Sequence, residues 1–165
     1  MKSILAIDVS TKRLSCAFRA IDWPDAFGVI PSPFCFEVSS VPGSIQALAD
    51  TFEYEDLAVV AVEGCYLSRN AKTYAQLFHV KELVLEAFRA KRAWVTVMEV
   101  SPTQWRVAVL RKSPEKVTGI KREEWHRRAL AHAEGILGYV PPSQDLADAV
   151  CLLHAVSSGA LEEVL

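Results

Sequence analysis

Hydrophobic residues along the chain form short aliphatic runs that alternate with longer helical stripes. The runs Ser3–Ser10 and Leu57–Val62 are apolar at nearly every position, which is typical of central strands in a sheet covered on both faces. Three further strands are predicted at Leu14–Ala20, Phe34–Val38 and Ala93–Val97. Because only short polar or turn-rich segments join the first three strands in the chain, they are expected to pair as an antiparallel meander.

Helical periodicity fills most of the remaining chain. The predicted helices are Ser44–Phe52, Ala71–Lys91, Pro102–Leu110, Ile120–Leu137 and a last helix capped by Ser143 or Gln144. The polar, basic segment Arg111–Gly119 between the third and fourth of these is interpreted as a mobile loop. The pattern predicts an α/β fold with a five-stranded mixed sheet, three antiparallel strands followed by two parallel ones, and helices on both faces.

Two of the apolar strands carry a carboxylate where the pattern predicts burial. Asp8 lies inside the first strand, and Glu63 directly follows Leu57–Val62. A buried ionised carboxylate loses its hydration, so it needs a compensating partner, and a divalent cation is one such partner. Sites in α/β sheets form outside the carboxyl ends of the strands, where Glu63 is placed.

Asp145 and Asp148 are three residues apart in the first turns of the last predicted helix, so both carboxylates lie on one face. For this pair alone, the helix dipole is a sufficient explanation, since it favours negative charge at a helix N-terminus. Together with Asp8 and Glu63, however, the pair makes four acids that could converge. Hard oxygen ligands without a His/Cys cluster favour Mg²⁺ or Mn²⁺, and two such ions suit phosphodiester hydrolysis.

Length and composition are those of one folded domain, assigned to residues 1–165. About half of the 165 residues are hydrophobic, and no segment resembles a membrane span or a signal peptide. The four cysteines contain no CxxC pair and lie in apolar runs, which predicts buried, reduced thiols: Cys16, Cys35, Cys65 and Cys151. We therefore expect a soluble, intracellular protein that does not bind a membrane.

Positive charge is concentrated in one stretch, although the whole chain has a net charge of −2. Between Ser101 and Arg128, eight basic residues face only three acidic ones. Such a stretch could bind a polyanion, or it could form a solvated helix face, and charge alone does not separate these two interpretations.

Three motifs together resemble RuvC-type Holliday junction resolvases of the RNase H-like superfamily, which also includes retroviral integrases. They are ILAIDVS around Asp8, AVVAVEG around Glu63 and QDLADAV around Asp145 and Asp148. The motifs are short, but their order and context are specific, and the resemblance covers nearly the whole chain. It implies a homodimeric endodeoxyribonuclease that resolves four-way (Holliday) junctions by paired nicks.

The same resemblance implies a cofactor, a location and the roles of the acids. Asp8, Glu63, Asp145 and Asp148 would bind two Mg²⁺ ions per active site, with Mn²⁺ as a substitute. The long helix Ala71–Lys91 would form the dimer interface. A cytoplasmic location follows, either in a bacterial cell or in a phage-infected host.

Further matches to the family concern DNA contacts. Tyr66 would stack on a base near the junction, or it could pack on its own helix, and Asn70 could contact DNA or cap the following helix. Arg106 and Lys121 are the counterparts of catalytically important basic residues, with Arg122 as an alternative to Lys121. The full set of expected DNA-binding residues is Tyr66, Arg69, Asn70, Arg106, Arg111, Lys112, Lys116, Lys121 and Arg122.

One departure from the family lies in the turn after Asp8. Many members have a glycine there, whereas this chain has Val9, Ser10 and Thr11. Because a side chain restricts close approach of the backbone, contact between this turn and DNA is less expected. The role of Asp8 as a ligand does not depend on that glycine.

Rival interpretations remain open at this point. A flap, branched-DNA or RNA-processing nuclease would keep the chemistry and change the substrate. An actin-like kinase or ATPase fragment would need a Gly-rich phosphate turn, which Val9 interrupts, and an inert module would be expected to lack part of the acidic set. The histidines are expected to be structural or solvated: His79, His126, His132 and His154.

Overall fold

The chain is built on a five-stranded mixed sheet with strand order β3-β2-β1-β4-β5. The computed structural model describes residues 2–21, 32–52, 57–65, 70–91, 95–112 and 116–161. The strands are β1 Ser3–Val9, β2 Arg13–Ala20, β3 Phe34–Ser39, β4 Leu57–Glu63 and β5 Thr96–Val100. The first three pair antiparallel, and β4 runs parallel to β1 and β5, which confirms the predicted mixed sheet.

Helices cover both faces of the sheet, as predicted. One face packs against α1 (Pro42–Thr51) and α2 (Ala71–Lys91). The other face packs against α3 (Pro102–Leu110), α4 (Arg122–Leu137) and α5 (Gln144–Ser157). The two hydrophobic cores are therefore separated by the sheet.

The central strand β1 sends alternate side chains into the two cores. Leu5 and Ile7 belong to the core under α1 and α2, whereas Ile4 and Ala6 belong to the core under α3, α4 and α5. Because side chains alternate along a strand, Asp8 shares the face of Ile4 and Ala6. The strand thus directs its one carboxylate toward the helix α5 that carries the acidic pair.

Two predicted boundaries were wrong. The fifth strand was expected at Ala93–Val97, but it runs from Thr96 to Val100, where it pairs in register with the end of β4. Residues 92–94 lie outside the described residues. Helix α1 begins at Pro42 rather than after Ser44, because proline suits the first helical position, where no intrahelical N–H bond is lost.

The remaining helices begin close to the expected positions, with caps that the sequence indicates. Ser101 caps α3 in a reciprocal capping box with Gln104, and the Ser143 hydroxyl accepts a hydrogen bond from the Leu146 N–H at the start of α5. Within the predicted loop Arg111–Gly119, a 3-10 turn occupies Val117–Gly119, and residues 113–115 lie outside the described part.

The described helices include none that is both long and apolar enough to cross a membrane. The four cysteines are free thiols, as expected. Cys16 and Cys151 are buried, whereas Cys35 and Cys65 are only partly buried.

Candidate active site

The four predicted acids line one cavity of about 730 Å³ at the carboxyl ends of β1 and β4. We call it the carboxylate cavity, and its acids are Asp8, Glu63, Asp145 and Asp148. The sheet supplies the first two and the start of α5 supplies the others. Residues that are far apart in sequence are therefore brought together as the strand and helix patterns predicted.

Asp8 is buried, with 7% of its surface exposed, the same fraction as Asp148. Burial raises the pKa of Asp8 well above its usual value, and the negative charge of Glu63 raises it further. A hydrogen bond between the two carboxyl groups acts in the same direction, as do the charges of Asp148 and Asp145. All of these causes favour the protonated form of Asp8 relative to an isolated aspartate.

Asp148 is also buried, and two polar side chains hold it. Gln144 Nε2 donates to its Oδ1 at 2.7 Å, and Arg106 Nη2 lies 3.4 Å from its Oδ2. Burial and then the charge of Glu63 raise the pKa of Asp148 to about 6, although both hydrogen bonds oppose this shift. Asp145, one turn earlier, is exposed at the mouth of the cavity.

Glu63 ends β4 and accepts a hydrogen bond from the core. The indole Nε1 of Trp105 donates to Glu63 Oε1 at 2.9 Å. Trp105 itself is fully buried on α3, among the hydrophobic residues under that face of the sheet. One oxygen of this carboxylate is thus held by a rigid side chain.

The start of α5 is tied to the antiparallel hairpin through Glu37 on β3. Ser143, the cap of α5, donates its hydroxyl to Glu37 Oε1 at 2.8 Å, and Ser15 on β2 donates to the same oxygen at 3.1 Å. Arg13 donates to the other carboxylate oxygen at 2.9 Å. These bonds, led by that of Ser143, keep the pKa of Glu37 below its usual value. The helix that carries Asp145 and Asp148 is therefore anchored to the sheet at its N-cap.

A second charged group lies next to the cavity, and we call it the Lys81 cluster. The buried ammonium of Lys81 lies 2.7 Å from Glu99 Oε2 and 3.2 Å from Glu82 Oε1. Burial opposes the charge on Lys81, but the hydrogen bonds to Glu99 and Glu82 outweigh it and raise its pKa. A Cβ at Gly64 would lie 2.8 Å from Glu99 Oε1, so the glycine after Glu63 makes room for this cluster.

The donor chemistry of the carboxylate cavity fits a hard divalent cation. Oxygen-rich, negatively charged and partly buried sites favour Mg²⁺, and the raised pKa values of Asp8 and Asp148 show that negative charge there is poorly compensated. Within the described ranges, no three His, Cys, Asp or Glu side chains are grouped closely enough to form a coordination set as they stand. Asp148 is instead engaged by Gln144 and Arg106.

The expected basic residues divide into two groups. Arg106 and Arg122 line the carboxylate cavity, whereas Lys116 and Lys121 line a separate cavity of about 500 Å³. Lys121 is exposed at the cap position before α4 and is not among the residues that line the carboxylate cavity. Arg111 and Lys112 are exposed after the end of α3.

The loop after β4 can be described only in part. Tyr66 and Arg69 lie outside the described residues, so their expected DNA contacts stay predictions. Asn70 has the capping geometry that was one of its two alternatives, since its Oδ1 accepts from the backbone N–H groups of Lys72 and Thr73 at 3.1 and 3.3 Å.

Two residues of the site were missed by sequence reasoning. Trp105 had the signal of an ordinary core residue, because nothing in its spacing indicates that its N–H meets Glu63. His126 was expected to be structural or solvated, but it lines the carboxylate cavity and accepts a hydrogen bond from Arg122 Nε at 3.3 Å. Burial, followed by the charges of Arg122 and Arg106, lowers the pKa of His126 and favours the neutral imidazole.

Other histidines agree with the structural interpretation. His132 and His154 stack and share a hydrogen bond of 2.6 Å between α4 and α5, and His79 is exposed on α2. His154 is not among the residues that line the carboxylate cavity.

The turn after Asp8 is closed by its own polar groups rather than by glycine. The Ser10 N–H and hydroxyl both donate to the Arg13 carbonyl at 2.9 Å, and the Arg13 N–H donates back to the Ser10 hydroxyl at 3.1 Å. Among the described residues, no side-chain-bearing residue has a positive φ. Val9 and Ser10 thus line the cavity in a relaxed backbone conformation.

No protein-family model matches the chain, and no curated protein is similar to it in sequence. Solved structures are similar in fold. RuvC of Thermus thermophilus, in complex with a Holliday junction substrate, aligns with a TM-score of 0.66 at 20% identity over 96% of each chain. Fowlpox virus resolvase, in complex with substrate Holliday junction DNA, aligns with a TM-score of 0.53 at 10% identity over 99% of each chain.

A third neighbour is the yeast mitochondrial Holliday junction resolvase. It aligns with a TM-score of 0.50 at 14% identity, over 97% of this chain and 80% of its own length. The three structures come from a bacterium, a virus and a mitochondrion, and all are resolvases. The chain therefore has the RNase H-like fold of the RuvC-type Holliday junction resolvases, as the order of its acidic motifs predicted.

Proposed function

We propose that this protein is a magnesium-dependent endonuclease that resolves four-way DNA junctions. The observation that carries the proposal is the convergence of four acids, from β1, β4 and α5, on one cavity in a resolvase fold. Inert relatives of such a fold would not need to maintain buried acids whose pKa values are raised. The alternative substrates, flaps, other branched DNA or RNA, would use the same residues.

Asp8, Glu63, Asp145 and Asp148 would hold two Mg²⁺ ions, and Mn²⁺ should substitute because it accepts the same oxygen ligands. When bound, such ions lower the pKa of water and stabilise negative charge on phosphate oxygens. A bound cation would favour the ionised forms of Asp8 and Asp148, because nearby positive charge opposes the rise in their pKa values.

The side chains around the acids would bind and orient the DNA backbone. Arg106 and Arg122 line the same cavity, where their guanidinium groups could hold a phosphate beside the acids. His126, kept largely neutral, can hydrogen-bond a phosphate oxygen or an attacking water without adding charge. The exposed basic residues beyond the cavity would follow the duplex arms: Arg111, Lys112, Lys116 and Lys121.

Resolution by paired nicks requires two active sites, and we propose a homodimer formed through α2. Phe78 on α2 is 44% exposed and lies next to Tyr74, with ring centroids 6.2 Å apart. Exposed aromatic side chains are enriched in protein interfaces. Sedimentation of wild type and Phe78→Glu tests this part, and a wild-type monomer at concentrations that cut junctions would contradict it.

The decisive test compares cleavage of a mobile four-way junction, a 5′ flap and a plain duplex, each with and without Mg²⁺. We expect symmetric nicks in the junction, only with Mg²⁺, and little cutting of the duplex. Asp8→Asn, which keeps the shape of the side chain, is the inactive control and should still bind the junction.

Each alternative outcome has a separate meaning. Preferential cutting of the flap, or of RNA added to the same panel, would replace the substrate while keeping the chemistry. Equal cutting of all substrates by Asp8→Asn and wild type would show that the carboxylate cavity is not the active site.

A further inference from the structure

We propose that Trp105 is a positioning residue that fixes the orientation of Glu63 for cation binding. The inference rests on the proposed function, because it treats Glu63 as a metal ligand. It assigns a role beyond packing to a tryptophan that has the sequence signal of a core residue.

The donor of the hydrogen bond between Trp105 and Glu63 is shielded from solvent. Trp105 is 0% exposed, and its Nε1 donates to Glu63 Oε1 at 2.9 Å. An indole N–H can only donate, so the bond requires an acceptor, and a carboxylate makes it charge-assisted. Because the ring is locked by the core, it restricts rotation of the Glu63 carboxylate and leaves the second oxygen for partners on the cavity side.

The helix α3, which carries Trp105, is held in a defined orientation by the cap at its first turn. Ser101 and Gln104 form a reciprocal capping box, so the positions of the following side chains are set. Trp105 bonds Glu63, and the next residue, Arg106, bonds Asp148. Two consecutive residues of α3 thus reach acids that come from β4 and from α5.

Trp105 and Arg106 also contact each other. The Arg106 guanidinium carbon lies 4.9 Å from the centre of the Trp105 ring, within range of a cation–π interaction. A change at Trp105 would therefore release the carboxylate of Glu63 and loosen the Arg106 guanidinium, which lies beside Asp148. Outer partners of metal ligands act in this way, and losing one costs about 10–100-fold in metal affinity or activity.

Simple burial offers the competing explanation, since a buried indole needs some acceptor. The two roles differ in what Trp105→Phe changes. Phenylalanine keeps an aromatic ring in the core and removes only the N–H and part of the ring volume. Trp125→Phe is the matched control, because Trp125 is buried in the same core and its ring contacts Arg128 rather than Arg106.

The experiment measures Mg²⁺ binding to the full-length protein by calorimetry, without DNA, for wild type, Trp105→Phe and Trp125→Phe. Thermal melting is recorded in parallel. We expect Trp105→Phe to bind Mg²⁺ about 10–100-fold more weakly, and Trp125→Phe to match wild type. Equal affinity for all three proteins would overturn the inference, even if both variants melt at lower temperature.

A spectroscopic measurement keeps the test valid if Trp105→Phe fails to fold. In ¹⁵N-tryptophan-labelled protein, one indole N–H resonance should shift when Mg²⁺ is added, and the same resonance should be displaced in metal-free Glu63→Gln. No shifting indole resonance at saturating Mg²⁺ would overturn the inference.

The failure of the proposed function has a different signature. If wild type binds no Mg²⁺ and cuts no junction, the metal role of the cavity falls and the inference with it. If wild type binds Mg²⁺ and cuts junctions while Trp105→Phe does both equally well, only the role of Trp105 is wrong.

Discussion

The carboxylate cavity and the Lys81 cluster are neighbours at the carboxyl ends of adjacent strands, yet their charges are balanced differently. In the Lys81 cluster, a buried ammonium bonds Glu99 and Glu82 directly. In the carboxylate cavity, Asp8 has another carboxyl group as its hydrogen-bond partner, and Arg106 lies 3.4 Å from Asp148. The acids of the Lys81 cluster are therefore paired with a lysine. The acids of the carboxylate cavity, where function is proposed, have too little positive charge beside them.

The largest expected effect is the loss of cleavage when an acid of the carboxylate cavity is neutralised. Asp8→Asn or Glu63→Gln should reduce Mg²⁺-dependent junction cutting by more than about 100-fold, because loss of an outer partner alone costs about 10–100-fold. Single-turnover cleavage of a labelled junction measures this. Glu99→Gln is the control from the Lys81 cluster and should retain the Mg²⁺ dependence of wild type.

The next effect concerns the pH dependence of stability in metal-free protein. The pKa of Asp148 is raised to about 6, so its folded state binds a proton more tightly than the unfolded chain. Its contribution to stability is fully present below the unfolded pKa, about 4, and is lost as pH rises through about 6. Asp148→Asn should therefore melt at a higher temperature than wild type at pH 7, by about 3 kcal/mol at most in the free energy of unfolding.

The difference between the two proteins should shrink as pH falls from about 6 and disappear below about 4, where wild-type Asp148 is protonated in both states. Calorimetric melts at several pH values, in the presence of a chelator, measure it. A constant difference across this range would contradict the electrostatic explanation. Added Mg²⁺ should stabilise wild type and reverse the order at pH 7, since the ion binds only the folded acids.

A smaller and opposite effect is expected in the Lys81 cluster. Glu99→Gln removes the closest counter-charge of a buried ammonium, which should lower the free energy of unfolding by about 1–2 kcal/mol, since Glu99 is partly exposed and Glu82 remains. Chemical denaturation measures the change. An increase in stability would show that the two neighbouring regions are not balanced in opposite ways.

The smallest expected effect is that of a change at Lys121, which does not line the carboxylate cavity as Arg106 does. Lys121 lines a different cavity, so Lys121→Ala should weaken junction binding slightly and reduce the slope of log affinity against log salt by about one unit. The Mg²⁺ requirement for cleavage should not change. If Lys121→Ala instead abolishes cutting of bound junction, the catalytic role implied by the family resemblance is retained although Lys121 lines a different cavity.

The sheet and the convergence of the four acids could be predicted from the sequence for a clear physical reason. Strands that are apolar on both faces have few places in a fold, and a carboxylate inside one, such as Asp8, stands out against them. The i, i+3 spacing of Asp145 and Asp148 fixed their common face without any tertiary information. Residues whose chemistry conflicts with their surroundings were therefore the most predictable part of the site.

Residues that agree with their surroundings were not predictable. Trp105 satisfies the pattern of a core position, and its bond to Glu63 depends on how α3 packs against β4. The buried Lys81 bonds Glu99 on β5, and the predicted position of that strand was itself wrong by three residues. His126 lines the cavity because of the angle at which α4 packs, and the local periodicity of the sequence does not predict that angle.

The hydrogen bond from Ser143 to Glu37 also bears on the order in which the chain acquires activity. It joins residues that are 106 positions apart, at the point where the helix carrying Asp145 and Asp148 begins. During synthesis the strands emerge long before that helix, so a nascent chain holds Asp8 and Glu63 but lacks the other two acids. The proposed nuclease would therefore be unable to cut nucleic acid near the ribosome until its last helix has docked on β3.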